Sequence, residues 1–405
     1  MPAPSPAATA AAGSTRPAYE VADIVRAYGA AYRSTHDVWP GQGVALRAIE
    51  RCRTAALGGH VEACDTCGAR RVAYNSCRNR HCPKCQGSAR AKWVAAQQAQ
   101  LLPIEYFHVV FTLPHALNAL ARVNPRRLYA LLFHAAAATL QAFARDPRHL
   151  GAALGVTAVL HTWGQNLSQH LHVHCVVTGG GLSADGQRWV STRRGFLFPV
   201  RALSTVFRGK FLVGLRQLRA RGHLHFAGDS AALADEPPWT EWLRTLRATD
   251  WVVYAKPPFG GPERVLKYLG RYTHRVAIAN RRLVSIDDGV VRFRWKDYAH
   301  GNQMKVMALP AEEFLRRFLL HVVPSGFRRI RHFGLLANRR RAAALARCRA
   351  LLEPPAPLEV PPFDRRGAFD DATPPGTAAP PRCPLCGGGP MRIVEILGPL
   401  RGIPP

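Results

Sequence analysis

The chain has 405 residues, with 55 Lys and Arg against 26 Asp and Glu, a formal charge of +29 and a pI near 10.9. That length holds two or three domains, and the charge lies outside the range of an ordinary cytosolic enzyme, pointing to a nucleic acid held more weakly as salt rises. A membrane span is excluded, because the most apolar helical stretch, Leu128 to Phe143, is short and contains His134 and Gln141.

Coding bias would favour Arg over Lys but would not create the shortage of acids. Residues 1–18 read as a disordered Ala/Pro arm, without the basic-then-apolar order of a signal peptide, so cytoplasmic residence is expected, on the bacterial nucleoid when bound. Tyr19 to Ala56 reads as helical, with Val21, Ile24, Val25, Tyr28 and Tyr32 at helical spacing. With the cysteine-rich segment after it, this stretch forms an N-terminal unit over 19–100. A basic helix from Ser88 to Leu102 leads out and stops at Pro103.

Strands and helices alternate over 101–310. Tyr106–Thr112, Thr157–Trp163 and His172–Thr178 read as strands, with helices around Ala116 to Leu150 between the first two. Asn166-Leu-Ser-Gln-His joins two apolar runs as a hairpin, and the Gly179-Gly-Gly181 run predicts the next turn. Phe207–Arg221 and Pro262–Thr273 predict helices, the second with Pro where its missing N–H costs nothing. Short strands follow at Val276–Ile278, Arg282–Ile286 and Val290–Trp295. This order predicts an α+β fold with an antiparallel sheet rather than a doubly wound one.

From Phe314 to Leu352 there are ten Arg and no acid, which predicts an Arg-rich region of two basic helices over 311–353 that grips a DNA backbone. Arg328, Arg329 and Arg331 are its candidate DNA contacts. Residues 354–405 read as a flexible Pro-rich tail carrying Cys383-Pro-Leu-Cys386. That pair resembles half of a metal site with no second pair after it, so it is open to recruiting Cys348, another chain or nothing, and stays unassigned.

In a reducing compartment, clustered cysteines are metal ligands rather than disulfides. Cys64-x-x-Cys67 and Cys82-x-x-Cys85 are separated by 14 residues, a zinc-ribbon or treble-clef spacing, so these four are the expected ligands of a structural Zn²⁺. Cys52, His60, Cys77 and His81 lie nearby and are either further zinc ligands or packing and DNA contacts. The segment has too few large apolar residues for its own core, so metal supplies much of its folding energy. Arg70, Arg71, Arg78, Arg80, Lys84 and Arg90 would decorate a rigid knuckle for DNA.

His172 and His174 share one face of a strand, and buried imidazoles need partners. A divalent ion, Mg²⁺ or Mn²⁺, meets that need and acts as a Lewis acid on phosphate. His161, on the preceding strand, is the expected third ligand, with Gln165 as the alternative. Tyr268 and Tyr272, at i and i+4, share a helix face. They are either packing aromatics or nucleophiles, and Lys267, Arg271 and Arg275 beside them would draw phosphate in and stabilise a phenolate. A tyrosine nucleophile stores the phosphodiester energy as a phosphotyrosine, and a second can take a later transfer.

Four segments in order, Ser76–Gln86 (SCRNRHCPKCQ), His161–Leu182 (HTWGQNLSQHLHVHCVVTGGGL), Tyr268–Leu283 (YLGRYTHRVAIANRRL) and Phe327–Arg339 (FRRIRHFGLLANR), resemble the insertion sequence 91 family of transposases, two-tyrosine members of the HUH endonuclease class. The resemblance implies an RRM-like HUH nuclease core behind a small zinc-binding domain, and a metal-dependent nick in single-stranded DNA at transposon ends. It also implies rolling-circle transposition through a covalent 5′-phosphotyrosine. It carries over His172 and His174 as metal ligands, Tyr268 and Tyr272 as nucleophiles, and the N-terminal cysteines as zinc ligands. Many members have Pro before the first of the paired histidines, where this chain has Leu171. Two rivals are a non-catalytic zinc-finger protein that binds nucleic acid, and a replication initiator or relaxase using the same chemistry.

Overall fold

The computed structural model describes residues 17–256, 264, 270, 277–298, 300–352 and 382–400. Helices α1 (Val21–Thr35) and α2 (Pro40–Arg51) open the chain, followed by the hairpin β1 (Gly59–Cys64) and β2 (Arg70–Tyr74) and helix α3 (Gln86–Gln98). The middle comprises β3 (Tyr106–Thr112), α4 (Asn118–Val123), α5 (Pro125–Arg145), β4 (Ala152–Trp163), β5 (Gln169–Ser183) and β6 (Trp189–Ser191). It continues with α6 (Val200–Ala220), α7 (Glu236–Ala248) and β7 (Val253–Lys256). Then come β8 (Leu283–Asp287), β9 (Val290–Asp297), β10 (Gln303–Pro310), α8 (Ala311–Leu319), β11 (Ile330–Gly334), α9 (Arg341–Leu352) and β12 (Met391–Leu397). Among the described residues no helix is long and apolar enough to cross a membrane.

The architecture is α+β. A six-stranded sheet runs in the order β11-β4-β5-β3-β7, with β6 also on β5, and every pairing in it is antiparallel. Alternation along these strands divides the side chains between two faces. Phe107, Val109 and Phe111 of β3, Val156, Ala158 and Leu160 of β4, and Val173, Cys175 and Val177 of β5 pack with α5 and α6 in the main core. The opposite face carries the histidines. Both faces are covered, which is why these strands read as nearly unbroken apolar runs.

Phe211 of α6 lies fully buried between Phe207 and Trp251, 6.3 and 5.3 Å from their ring centres. Phe211→Ala is expected to destabilise the chain by about 3–5 kcal/mol, the transfer and cavity cost of a buried aromatic. Urea denaturation of the full chain measures this, and a loss under about 1 kcal/mol would contradict the packing described.

A second core joins the start of the chain to its last third. Val21, Ile24, Leu46 and Ile49 pack with Ile278, Phe293, Phe314 and Phe318, below the sheet β10-β9-β8. The Glu20 backbone N–H donates to the Asp23 carboxylate at 2.8 Å, capping α1, and the Glu20 carboxylate forms a buried ion pair with Lys84. The units expected at 19–100 and 101–310 are therefore not separate bodies: α1 and α2 share a core with β8, β9 and α8.

Three further expectations are corrected. The Gly179–Gly181 run is not a turn but lies inside β5. A Cβ at Gly179 would come within 2.7 Å of the Glu105 carbonyl oxygen, and one at Gly181 within 2.5 Å of that of Ala153, so glycine there permits close approach of neighbouring backbone. The segment 311–353 is not two helices alone, because Ile330–Gly334 extends the central sheet along the edge of β4. The tail expected to be flexible contains β12, which pairs with β1 from Gly59↔Leu397 to Cys64↔Met391.

Candidate functional site

The loop 164–168 joins β4 to β5 in a register that sets His161 directly opposite His172 and Val159 opposite His174. Side-chain nitrogens of His161, His172 and His174 all lie within 4.8 Å of one another, and all three residues are buried. The ring centres are 5.3 Å apart for His161 and His172, 4.9 Å for His172 and His174, and 4.3 Å for His161 and His174. Trp163 stacks on His161 at 4.6 Å.

Nδ1 of His172 lies 2.8 Å from the backbone carbonyl of His170. A carbonyl only accepts, so Nδ1 carries the proton and Nε2 of the neutral ring keeps its lone pair. Burial, with His170 alongside, pushes His172 down to about 3, and burial holds His174 well below the ordinary imidazole range. Both are therefore neutral at pH 7, the form that binds a cation.

His108, which the sequence reading did not single out, stands on β3 on the same face. Its Nε2 lies 2.8 Å from Nδ1 of His174, and burial pushes it down to about 4. Such a partner on the far ring nitrogen fixes the orientation of a metal-binding imidazole. Its signal was available: in YFHVVFT, His108 alternates onto the face opposite Phe107 and Val109. Gln165 sits in the loop, where its backbone carbonyl accepts from the Arg282 guanidinium.

Tyr268, Tyr272, Lys267, Arg271 and Arg275 lie outside the described residues. Gly270 between them is helical and buried, and a Cβ there would meet Val94 of α3. One residue earlier on α3, Trp93 packs on Tyr106 and Val176, and Val176 follows His174 on the histidine face of β5.

The expected zinc set of Cys64, Cys67, Cys82 and Cys85 is corrected, since the sulfurs divide into two groups. Cys82 and Cys85 join Cys52 and Cys77, while Cys64 and Cys67 join Cys383 and Cys386, each group with all sulfurs within 4.8 Å of one another. The hairpin is the cause. Cys64 and Cys67 lie at its turn, whereas Cys52 and Cys77 flank its open end, where the Arg53 N–H donates to Asn75 O and the Asn75 N–H to Gly58 O. The length of β1, roughly 17 Å at the strand rise, keeps the two ends apart.

Within the first group, Cys52 and Cys77 have sulfurs 3.5 and 3.6 Å from that of Cys85. Four thiolates at a Zn–S distance of about 2.3 Å around a tetrahedral ion lie about 3.8 Å apart, so this donor set fits zinc. His60 and His81 belong to neither group: His60 Nε2 lies 3.3 Å from the Glu62 carboxylate, and His81 Nε2 accepts the Val323 N–H at 3.3 Å. Cys348 packs with Leu102, Leu335 and Leu345.

The basic residues also divide. Arg328 is exposed, but Arg329 is 9% exposed, and Arg331 lies 4.6 Å over the Phe133 ring and 5.0 Å over Phe327. Arg80 donates to the carbonyls of Phe327 and Pro324 at 2.6 and 2.9 Å. Of the three arginines expected to grip DNA from 327–331, only Arg328 presents an open surface.

Residues 155–343 match the family described as "Putative transposase", and residues 24–113 match "Transposase zinc-binding domain". "Putative transposase y4qJ" of Sinorhizobium fredii is 54% identical over 389 residues, 95% of this chain and 97% of that one. "Transposase for insertion sequence element IS801" of Pseudomonas savastanoi pv. phaseolicola is 30% identical over 298 residues, 71% of this chain and 68% of that one. Among solved structures, the conjugative relaxase TrwC in complex with oriT DNA aligns with 41% of this chain and 71% of its own at 16% identity. Its TM-score of 0.24 is too low to define the fold further.

Proposed function

This chain belongs to the insertion sequence 91 family of transposases, and from that premise we propose that it nicks and rejoins single-stranded DNA at the ends of its element. Tyr268 and Tyr272 serve as nucleophiles, and His161, His172 and His174 hold one Mg²⁺ or Mn²⁺. When bound, that ion supplies Lewis-acid polarisation of a non-bridging phosphate oxygen. One phenolic oxygen forms the new bond to phosphorus and the bond to O3′ breaks. The phenolic proton passes to solvent and the freed O3′ takes one up, leaving a 3′-OH on the DNA and a 5′-phosphotyrosine on the protein. The 3′-OH primes replication and the second tyrosine accepts a later transfer, which is the order of events in rolling-circle transposition. The reaction takes place in the cytoplasm, where the DNA is.

The observation that carries this reading is the convergence of three buried imidazoles from two strands within 4.8 Å. It is supported by α3, whose Trp93 covers Val176 on the histidine face and whose Val94 meets Gly270, midway between the tyrosines.

The test uses purified full-length protein, a 3′-labelled single-stranded oligonucleotide carrying an element end, and Mn²⁺. A denaturant-resistant labelled adduct is expected, absent with chelator and absent from the Tyr268→Phe/Tyr272→Phe protein. Cleavage without an adduct, or an adduct that survives both replacements, would overturn the mechanism.

A further inference from the structure

We propose that Cys64, Cys67, Cys383 and Cys386 hold a second zinc ion, which clasps the C-terminal strand onto the N-terminal hairpin. The four sulfurs come from two short loops built alike. In each, the sequence is Cys-x-x-Cys-Gly, and the glycine N–H reaches back to the carbonyl of the first cysteine: Gly68 to Cys64 at 3.0 Å and Gly387 to Cys383 at 2.9 Å. Both glycines take left-handed backbone, φ +69° and +67°, which other residues adopt at a cost. Two knuckles of one design, facing each other from opposite ends of the chain, make a four-sulfur cage.

The distances identify what fits between them. The sulfurs of Cys64 and Cys386 are 3.7 Å apart, as are those of Cys67 and Cys383. A disulfide requires about 2.05 Å, whereas the edge of a zinc tetrathiolate tetrahedron is about 3.8 Å. An all-sulfur tetrahedral set selects zinc over Mg²⁺ or Mn²⁺, which prefer oxygen. The knuckles also touch directly, since a Cβ on Gly389 would fall 2.9 Å from the Cys64 sulfur. Asp65 pairs with Arg392 at 2.5 Å across the junction.

Apolar burial alone does not account for the docking of this segment. Among the described residues, Cys64, Cys383 and Met391, with half-buried Ala69, make up the local core. On β12 only Met391 is buried, while Ile393, Val394 and Ile396 are 58%, 54% and 76% exposed. The ion supplies what the missing core does not. Once docked, β12 occupies the edge of β1 that would otherwise offer unpaired backbone groups. This inference does not rest on the nuclease reading, and an inactive enzyme would leave it standing.

The test compares zinc content, by elemental mass spectrometry, of full-length protein and its Cys383→Ser/Cys386→Ser variant. The variant is expected to hold one equivalent per chain less than the parent, and equal content overturns the proposal. Because the variant's fold is itself at stake, the parent is also alkylated and mapped by mass spectrometry. Cys64, Cys67, Cys383 and Cys386 are expected to resist alkylation together and to become reactive together when zinc is chelated. Free reaction of the exposed Cys67 and Cys386 before chelation, or a disulfide joining the two knuckles, would overturn it.

Discussion

His172→Ala is expected to slow nicking by about 10²- to 10⁴-fold with little loss of fold. Lewis-acid stabilisation of a phosphoryl transition state contributes several kcal/mol, and each 1.36 kcal/mol is about tenfold in rate. Removing the ring leaves the His170 carbonyl without its donor at Nδ1. That loss costs about 1–3 kcal/mol, less than the 5–15 kcal/mol stability of an ordinary domain. His108→Ala tests the same site from outside. It removes the group beside Nδ1 of His174, and the loss of such a partner costs about 10- to 100-fold in metal affinity. Titration of nicking rate against Mn²⁺ separates the two. Excess metal is expected to restore the His108 variant and not the His172 variant, and a His172→Ala protein as fast as its parent would remove the histidines from the chemistry.

Where a side chain's neighbours are set by local alternation, the sequence was readable. Tyr106–Thr112 was expected as a strand and is one, residue for residue. The hairpin around Asn166 brings His161 opposite His172 because the loop is short enough to fix the register. Where the outcome depended on partners far away in the chain, local pattern misled. Ile330–Gly334 lies in a stretch whose arginines suggest a basic helix, but the open edge of β4 offered it a ladder, and its one arginine, Arg331, became a packing residue over Phe133 and Phe327. The glycines at 179–181 carry a turn's composition, yet what they permit is close contact with Glu105 and Ala153. The grouping of the cysteines was the least legible feature. Spacing suggests which pairs ligate, but hairpin length and a strand from the far end of the chain decide which pairs meet.

Cys82→Ser is expected to do more than lower zinc content. Cys82 is fully buried, lies in the second core with Cys52, and belongs to the segment whose Lys84 forms the buried pair with Glu20 at the start of α1. Structural zinc sites contribute on the order of 10–16 kcal/mol to folding, as much as the whole net stability of a typical domain. Loss of this ion therefore threatens α1, α2 and everything packed on them, including β9 and α8. The core of α5, α6 and the central sheet draws on neither cysteine group and has its own buried aromatics. Hydrogen exchange of the Cys82→Ser protein is accordingly expected to show lost protection over 21–51 and 290–319, with protection retained over 128–144 and 203–215. Uniform loss would mean that the two cores unfold as one cooperative unit. Unchanged protection over 21–51 would mean that apolar packing holds α1 and α2 without the metal.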